Sequence, residues 1–198
     1  MSDAPVLIEE PNFLTRAQCR AILGELSFAF WYPSAVVEAG AGGCRGRAVR
    51  TSRISETTDE SWFGGSLPDA ISTIDRRLAE RFPKFEARRE AWQATRYRKG
   101  GRFKAHLDCG HWGEEPAGER QCTFLLFLDR PRGGGETCFP RLGRIVPPAA
   151  GLLLAWRNLT AAGDCDRMML HASLPVTEGT KTVLVTWLRE RPVGGRAT

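Results

Sequence analysis

Beyond residue 90 the chain becomes a series of short apolar runs cut by glycine and proline: WQATRY, CTFLLFLD, GETCFP, GRIVP, GLLLAW and TVLVTWL. Runs of this length suit strands better than helices. Turn residues recurring between them are the pattern of an all-β sandwich or barrel. The expected class is mainly β with N-terminal helices. Its core, about residues 91–190, is expected to be a double-sheet jelly roll, a double-stranded β-helix of the cupin-like type. The 198 residues suit one domain, 1–198, with a helical part to about residue 90.

In the first 90 residues the pattern is helical. Residues 12–28 read as a helix with Thr15 as N-cap and Ala17, Ile22, Leu23 and Leu26 as its apolar stripe. A second helix is expected over 68–82, with Pro68 near its start, Ile71, Ile74 and Leu78 on one face, and Pro83 ending it. Between them, 38–47 (EAGAGGCRGR) reads as a glycine-rich mobile loop. Residues 31–50 form either a lid, with Trp31 and Tyr32 packing across an opening, or an inert surface loop.

Several function classes fall away on composition. No stretch approaches the roughly 18 apolar residues of a membrane span. MSDAPVLIEE lacks the basic, apolar and small-residue order of a signal peptide, so a cytoplasmic location is expected. The six cysteines show no C-x-x-C pair; structural zinc is not expected, and free thiols in a reducing compartment are. The net charge of +5 comes with 24 Arg against 4 Lys. An arginine excess fits phosphate or nucleic-acid binding, but a solvated basic surface explains it equally.

The chemistry-bearing residues lie in the strand-rich part. His106 and Asp108 form an H-x-D pair, and residues i and i+2 of a strand share a face. His171 is the candidate third ligand. Two imidazoles and one carboxylate make the facial site of non-haem Fe(II) oxygenases, which leaves positions open on the metal. Lys181 shares strand parity with Val183, Val185 and Trp187, so its ammonium is expected to point into the barrel. A buried ammonium needs a partner, and the far carboxylate of 2-oxoglutarate would supply one. O2 takes the remaining metal position. Oxidative decarboxylation then gives succinate and CO2, and the substrate gains a hydroxyl. Glycine or alanine at position 108 would leave room for a halide; aspartate points to hydroxylation. Taken alone, an H-x-D pair arises by chance in many chains, and a structural histidine is its bland alternative.

Over residues 11–190 the chain resembles the prolyl 4-hydroxylase-like family of Fe(II)/2-oxoglutarate dioxygenases. The segments that carry the resemblance are NFLTRAQCRAIL, VRTS at 49–52, RYRKGGRFKAHLD at 96–108, RQCTFLLFLD at 120–129, GGGETCFP at 133–140 and LHASLPVTEGTKTVLVTW at 170–187. It implies His106, Asp108 and His171 as iron ligands and Lys181 as the partner of the cosubstrate's 5-carboxylate. Thr137 would assist that lysine and Tyr97 would lie beside the cosubstrate. Arg50, Ser52, Arg120 and Trp187 would line the substrate channel. Fe(II), 2-oxoglutarate and O2 are the implied cofactors, with ascorbate as the expected stimulant. Two positions depart from the family: Phe103 stands where tyrosine is frequent, and Arg189 where a peptide-directed member can carry histidine.

The expected substrate is an amino acid, a prolyl-like peptidyl residue or a small natural-product precursor, with no nucleic-acid or membrane partner. Two other readings remain at this point. One keeps the cofactors but acts on alkylated nucleic acid. The other is a non-enzymatic module holding zinc through His106, Asp108, Cys109 and His111.

Overall fold

The computed structural model describes residues 7–39, 45–48 and 51–194. Thr15 caps the first helix as expected. Its hydroxyl accepts the Gln18 backbone N–H at 3.2 Å, and Gln18 Oε1 accepts the Thr15 N–H at 2.9 Å. This reciprocal box fixes the start of the helix at Arg16–Leu26, inside the expected 12–28 span. Its buried stripe is Cys19, Ile22 and Leu26; Ala17, expected to join it, is exposed. The second helix, Leu67–Ala79, carries Pro68 in its first turn and buries Leu67, Ile71, Ile74 and Leu78.

Two antiparallel sheets make the body of the molecule. The larger has seven strands in the order Leu7–Glu10, Leu153–Arg157, Arg120–Phe127, Lys181–Arg189, Gln93–Tyr97, Glu56–Asp59 and Tyr32–Pro33. The smaller has five: Arg144–Val146, Thr137–Phe139, His171–Ser173, Arg102–His106 and Arg53–Ile54. Neighbours in both sheets come from distant parts of the chain, as in a jelly roll.

Strand alternation sorts the apolar residues into two layers. Phe124, Leu126, Leu153, Ala155, Leu184 and Leu188 face the helices and pack with Ile22, Leu26, Ile74, Leu78 and Phe85. Their sequence neighbours Phe127, Leu154, Trp156 and Val183 face the second sheet and pack with Tyr97, Phe139, Val146 and Met169. The larger sheet is therefore covered on both faces, which is why its strands read as nearly continuous apolar runs.

Two expectations are corrected here. Val36–Ala39 and Arg45–Ala48 pair as an antiparallel ribbon, so the glycine-rich segment is not simply a loop; residues 40–44 and Arg50 lie outside the described residues. Trp31 donates its Nε1–H to Leu26 O at 3.0 Å and packs against the helical layer, while Tyr32 donates its hydroxyl to Asp59 at 2.7 Å. Finally, Cys109 and Cys165 form a disulfide across 56 residues, so those two are not free thiols. A search for local cysteine spacing misses a pair that only the tertiary fold brings together. Cys19, Cys122 and Cys138 are free. Among the described residues no helix is long and apolar enough to cross a membrane.

Candidate active site

Register sets the geometry of the site. In the five-stranded sheet His171 lies directly opposite His106, and their ring centroids are 4.2 Å apart. Asp108 follows two residues after His106, just past the end of that strand. One ligand atom from each of the three lies within 4.8 Å of the others. His106 Nδ1 lies 2.8 Å from Lys104 O, and His171 Nδ1 lies 2.9 Å from Met169 O. A carbonyl can only accept, so each Nδ1 carries a proton and each Nε2 is turned toward Asp108. The Nε2–carboxylate distances are 3.8 Å and 3.6 Å.

Electrostatics agree with a cation site. Burial, then the neighbouring His171, pushes His106 down to about 3, which keeps it neutral. Burial alone would raise Asp108, but His171, His106, Arg120 and the hydrogen bond from Thr123 outweigh it and hold it near 2. A neutral His106 beside an ionised Asp108 suits a divalent ion, which binds deprotonated ligands. Thr123 donates to Asp108 Oδ2 at 2.7 Å and accepts from Asn158 Nδ2 at 2.9 Å. Sequence reasoning missed both, because they come from distant parts of the chain and carry no local signal.

Deeper in the same cleft sits Lys181, 1% exposed. Its Nζ donates to Ser173 Oγ at 2.9 Å and lies 5.1 Å and 5.4 Å from the ring centroids of Tyr97 and Phe127. Among the described residues no carboxylate pairs with it. Burial pushes its ammonium down to about 7, against the opposing pull of Glu136 and Asp129. The buried hydroxyl of Thr137 in the same cleft has no hydrogen-bond partner among the described residues. An unpaired ammonium and an orphaned hydroxyl in one dry cleft are what a ligand carboxylate would satisfy. The residues present thus fit a divalent metal with a dicarboxylate beside it. Ser173, two residues after His171 and on the same face, was findable from strand parity.

The cleft opens into a wider cavity of about 350 Å³ lined by Ser52, Arg53, Phe103, Trp112, Arg120 and Trp187, among others. Arg120 forms a fork with Glu90 at 2.7 Å and 2.6 Å. Its guanidinium lies 3.7 Å from the Trp187 ring centroid and 4.1 Å from that of Trp112. Arg189 also reaches Glu90, at 3.1 Å, and Glu115 at 2.8 Å. Phe103 stacks on His106 at 3.6 Å. Ser52, Arg120, Trp187, Tyr97 and Thr137 all border the cleft or the cavity; Arg50 lies outside the described residues. Arg53 was not anticipated. The zinc-module reading fails on Cys109, whose sulfur is bonded to Cys165. Among the described residues the cluster that could hold a metal includes neither Cys109 nor His111.

Residues 92–189 match the family model described as the 2OG-Fe(II) oxygenase superfamily. Prolyl 4-hydroxylase 13 of Arabidopsis thaliana is 30% identical over 210 residues, which cover 91% of this chain and 70% of that protein. Prolyl 4-hydroxylase subunit alpha-1 of Mus musculus is 32% identical over 145 residues. That match takes in 70% of this chain but only 27% of the mouse protein, so the chain spans about a quarter of that relative's length. In fold, the chain is similar to the viral collagen prolyl hydroxylase of Paramecium Bursaria Chlorella virus-1. The TM-score is 0.70 at 23% identity, covering 94% of this chain and 97% of the viral one.

Proposed function

We propose that this chain, which belongs to the 2OG-Fe(II) oxygenase superfamily and to its prolyl 4-hydroxylase-like family, hydroxylates an aliphatic C–H bond with release of succinate and CO2. The acceptor is an amino acid, a prolyl-like residue or a small precursor. One observation carries the reading: His106, Asp108 and His171 converge within 4.8 Å, in a cleft that also holds a buried lysine with no carboxylate partner among the described residues.

In this reading the two Nε2 atoms and the Asp108 carboxylate hold Fe(II), and Lys181, with Thr137 and Ser173, holds the distal carboxylate of 2-oxoglutarate. Bound together, the iron and 2-oxoglutarate supply the O2-dependent oxidative decarboxylation that powers one C–H hydroxylation. The carbonyls of Lys104 and Met169 fix both imidazole tautomers. Thr123 and Asn158 fix the Asp108 carboxylate. Phe103, Trp156 and Val183 keep the cleft apolar, which shields it from bulk water. Trp187, Trp112 and the Arg120–Glu90 pair shape the place where the acceptor lies.

Succinate formation tests this directly. It should require added Fe(II) and be lost in His106→Ala, Asp108→Ala and His171→Ala. Succinate release at the wild-type rate by any of these variants would overturn the reading.

A further inference from the structure

Arg53 opens the edge strand Arg53–Ile54 and pairs in register with Phe103. Its side chain borders both the metal cleft and the wider cavity. Its Nε donates to Ser55 Oγ at 3.0 Å, Nη2 to Thr95 Oγ1 at 3.2 Å, and Nη1 to Ala35 O at 3.5 Å. All three acceptors are neutral oxygens. A guanidinium carries five N–H donors, and the Tyr97 hydroxyl, its further neighbour in the cleft, is neutral too. The cation lies 4.8 Å from the Phe103 ring centroid, and that ring stacks on His106. The charge thus sits one aromatic ring from a candidate iron ligand.

Three arginines near it have acids. Arg120 and Arg189 share Glu90, and Arg189 also holds Glu115. Arg96 holds Glu56. Among the described residues no carboxylate pairs with Arg53. Arg53 stands in a partly buried wall of the cavity, with no acid on it among the described residues. A guanidinium withdrawn from water is costly until an anion pairs with it, and its fork matches a carboxylate.

Resting on the hydroxylase reading, we propose that the substrate brings this anion. Its carboxylate docks on Arg53 while its apolar body lies against Trp187 and Phe103, so the acceptor is a free acid or a C-terminal residue, not an internal residue of a peptide. Arg53 is then a specificity-determining residue for the reaction.

Acid and amide pairs of otherwise identical probes test this by calorimetry, on protein loaded with Mn(II) and 2-oxoglutarate. N-acetyl-L-proline and N-acetyl-L-prolinamide are one pair; N-acetyl-L-leucine and its amide are another. The acid of at least one pair should bind tighter than its amide by roughly tenfold or more, the range of a charge-assisted contact. Arg53→Gln should erase that difference. Arg53→Lys, which keeps the charge but not the fork, should retain part of it and guards against misfolding of the glutamine variant. The proposal is overturned if no acid outbinds its amide, whether both bind equally or neither binds. Survival of the preference in Arg53→Gln overturns it too, as does a loss in that variant confined to 2-oxoglutarate affinity, which would assign Arg53 to the cosubstrate. Iron-dependent succinate formation without added substrate, run on the same wild-type protein, separates the two failures. If it persists while the acid preference is absent, the carboxylate inference alone falls.

Discussion

An ammonium that is 1% exposed and, among the described residues, hydrogen-bonded only to a serine hydroxyl resists protonation, and this gives Lys181 two measurable signatures. In the folded protein it titrates near 7, below its ordinary 10.5. Below pH 7 both folded and unfolded chains carry the proton, and the cost of burying the charge is present in full. Between about 7 and 10.5 the unfolded chain holds a proton that the folded one has released, so stability of the cosubstrate-free protein rises with pH across that window. Melting curves at pH 7 and pH 9 should show wild type gaining on Lys181→Met; equal shifts in both would contradict it. Binding of 2-oxoglutarate needs the charged form. Above pH 7 it must take up a proton, and affinity should fall by about tenfold per pH unit. Calorimetry at pH 8 in buffers of different ionisation heat would detect the uptake. Lys181→Ala should raise the KM for 2-oxoglutarate roughly 10- to 150-fold, the equivalent of about 1.5–3 kcal/mol. An unchanged KM would show that this lysine holds nothing. Thr123→Val keeps the shape but removes the hydrogen bond to Asp108. Metal affinity should drop about 10- to 100-fold by anaerobic titration, the usual cost of losing such support.

Among the elements, the Cys109–Cys165 bridge and the 130s turn have the clearest consequences. The bridge ties the residue after Asp108 to the segment that leads into the strand His171–Ser173. It closes a loop of 56 residues, and its removal in Cys109→Ser/Cys165→Ser should cost about 4 kcal/mol in the chain-entropy model. Denaturant melts with and without reductant measure this; wild type indifferent to reductant would contradict it. At Gly135, φ is +80°, and an added Cβ would stand 3.3 Å from Lys181 Cδ. Gly135→Ala should lower Tm and weaken 2-oxoglutarate binding together, whereas a Tm change alone would mean the turn does not support the lysine. The sequence made these elements legible unequally. The strands from residue 93 on announced themselves, because the larger sheet buries both faces and its apolar runs are dense. The first helix announced its start through Thr15 and Gln18. The ribbon of Val36–Ala39 and Arg45–Ala48 did not, since glycine and charge mask its pairing.

For the molecule as a whole, the legible part of the site was the part whose partners lie close in sequence or on one strand. His106 and Asp108 are two apart, and Lys181 lies in phase with Val183, Val185 and Trp187. Those residues meet in one cleft. What sequence reasoning missed depends on the two sheets meeting. Thr123 and Asn158 come from elsewhere in the chain to hold Asp108. Arg53 reaches the cavity from the edge of the smaller sheet. Glu90 pairs with two arginines at once, 30 and 99 residues away. The disulfide has the same origin. Long-range convergence is also what makes the central claim testable in one step. Anaerobic calorimetric titration of the wild-type chain with Fe(II), in the presence of 2-oxoglutarate, should give one tight site per chain, and His171→Ala should lose it. A His171→Ala chain that still takes up one equivalent of iron with wild-type affinity would contradict the account.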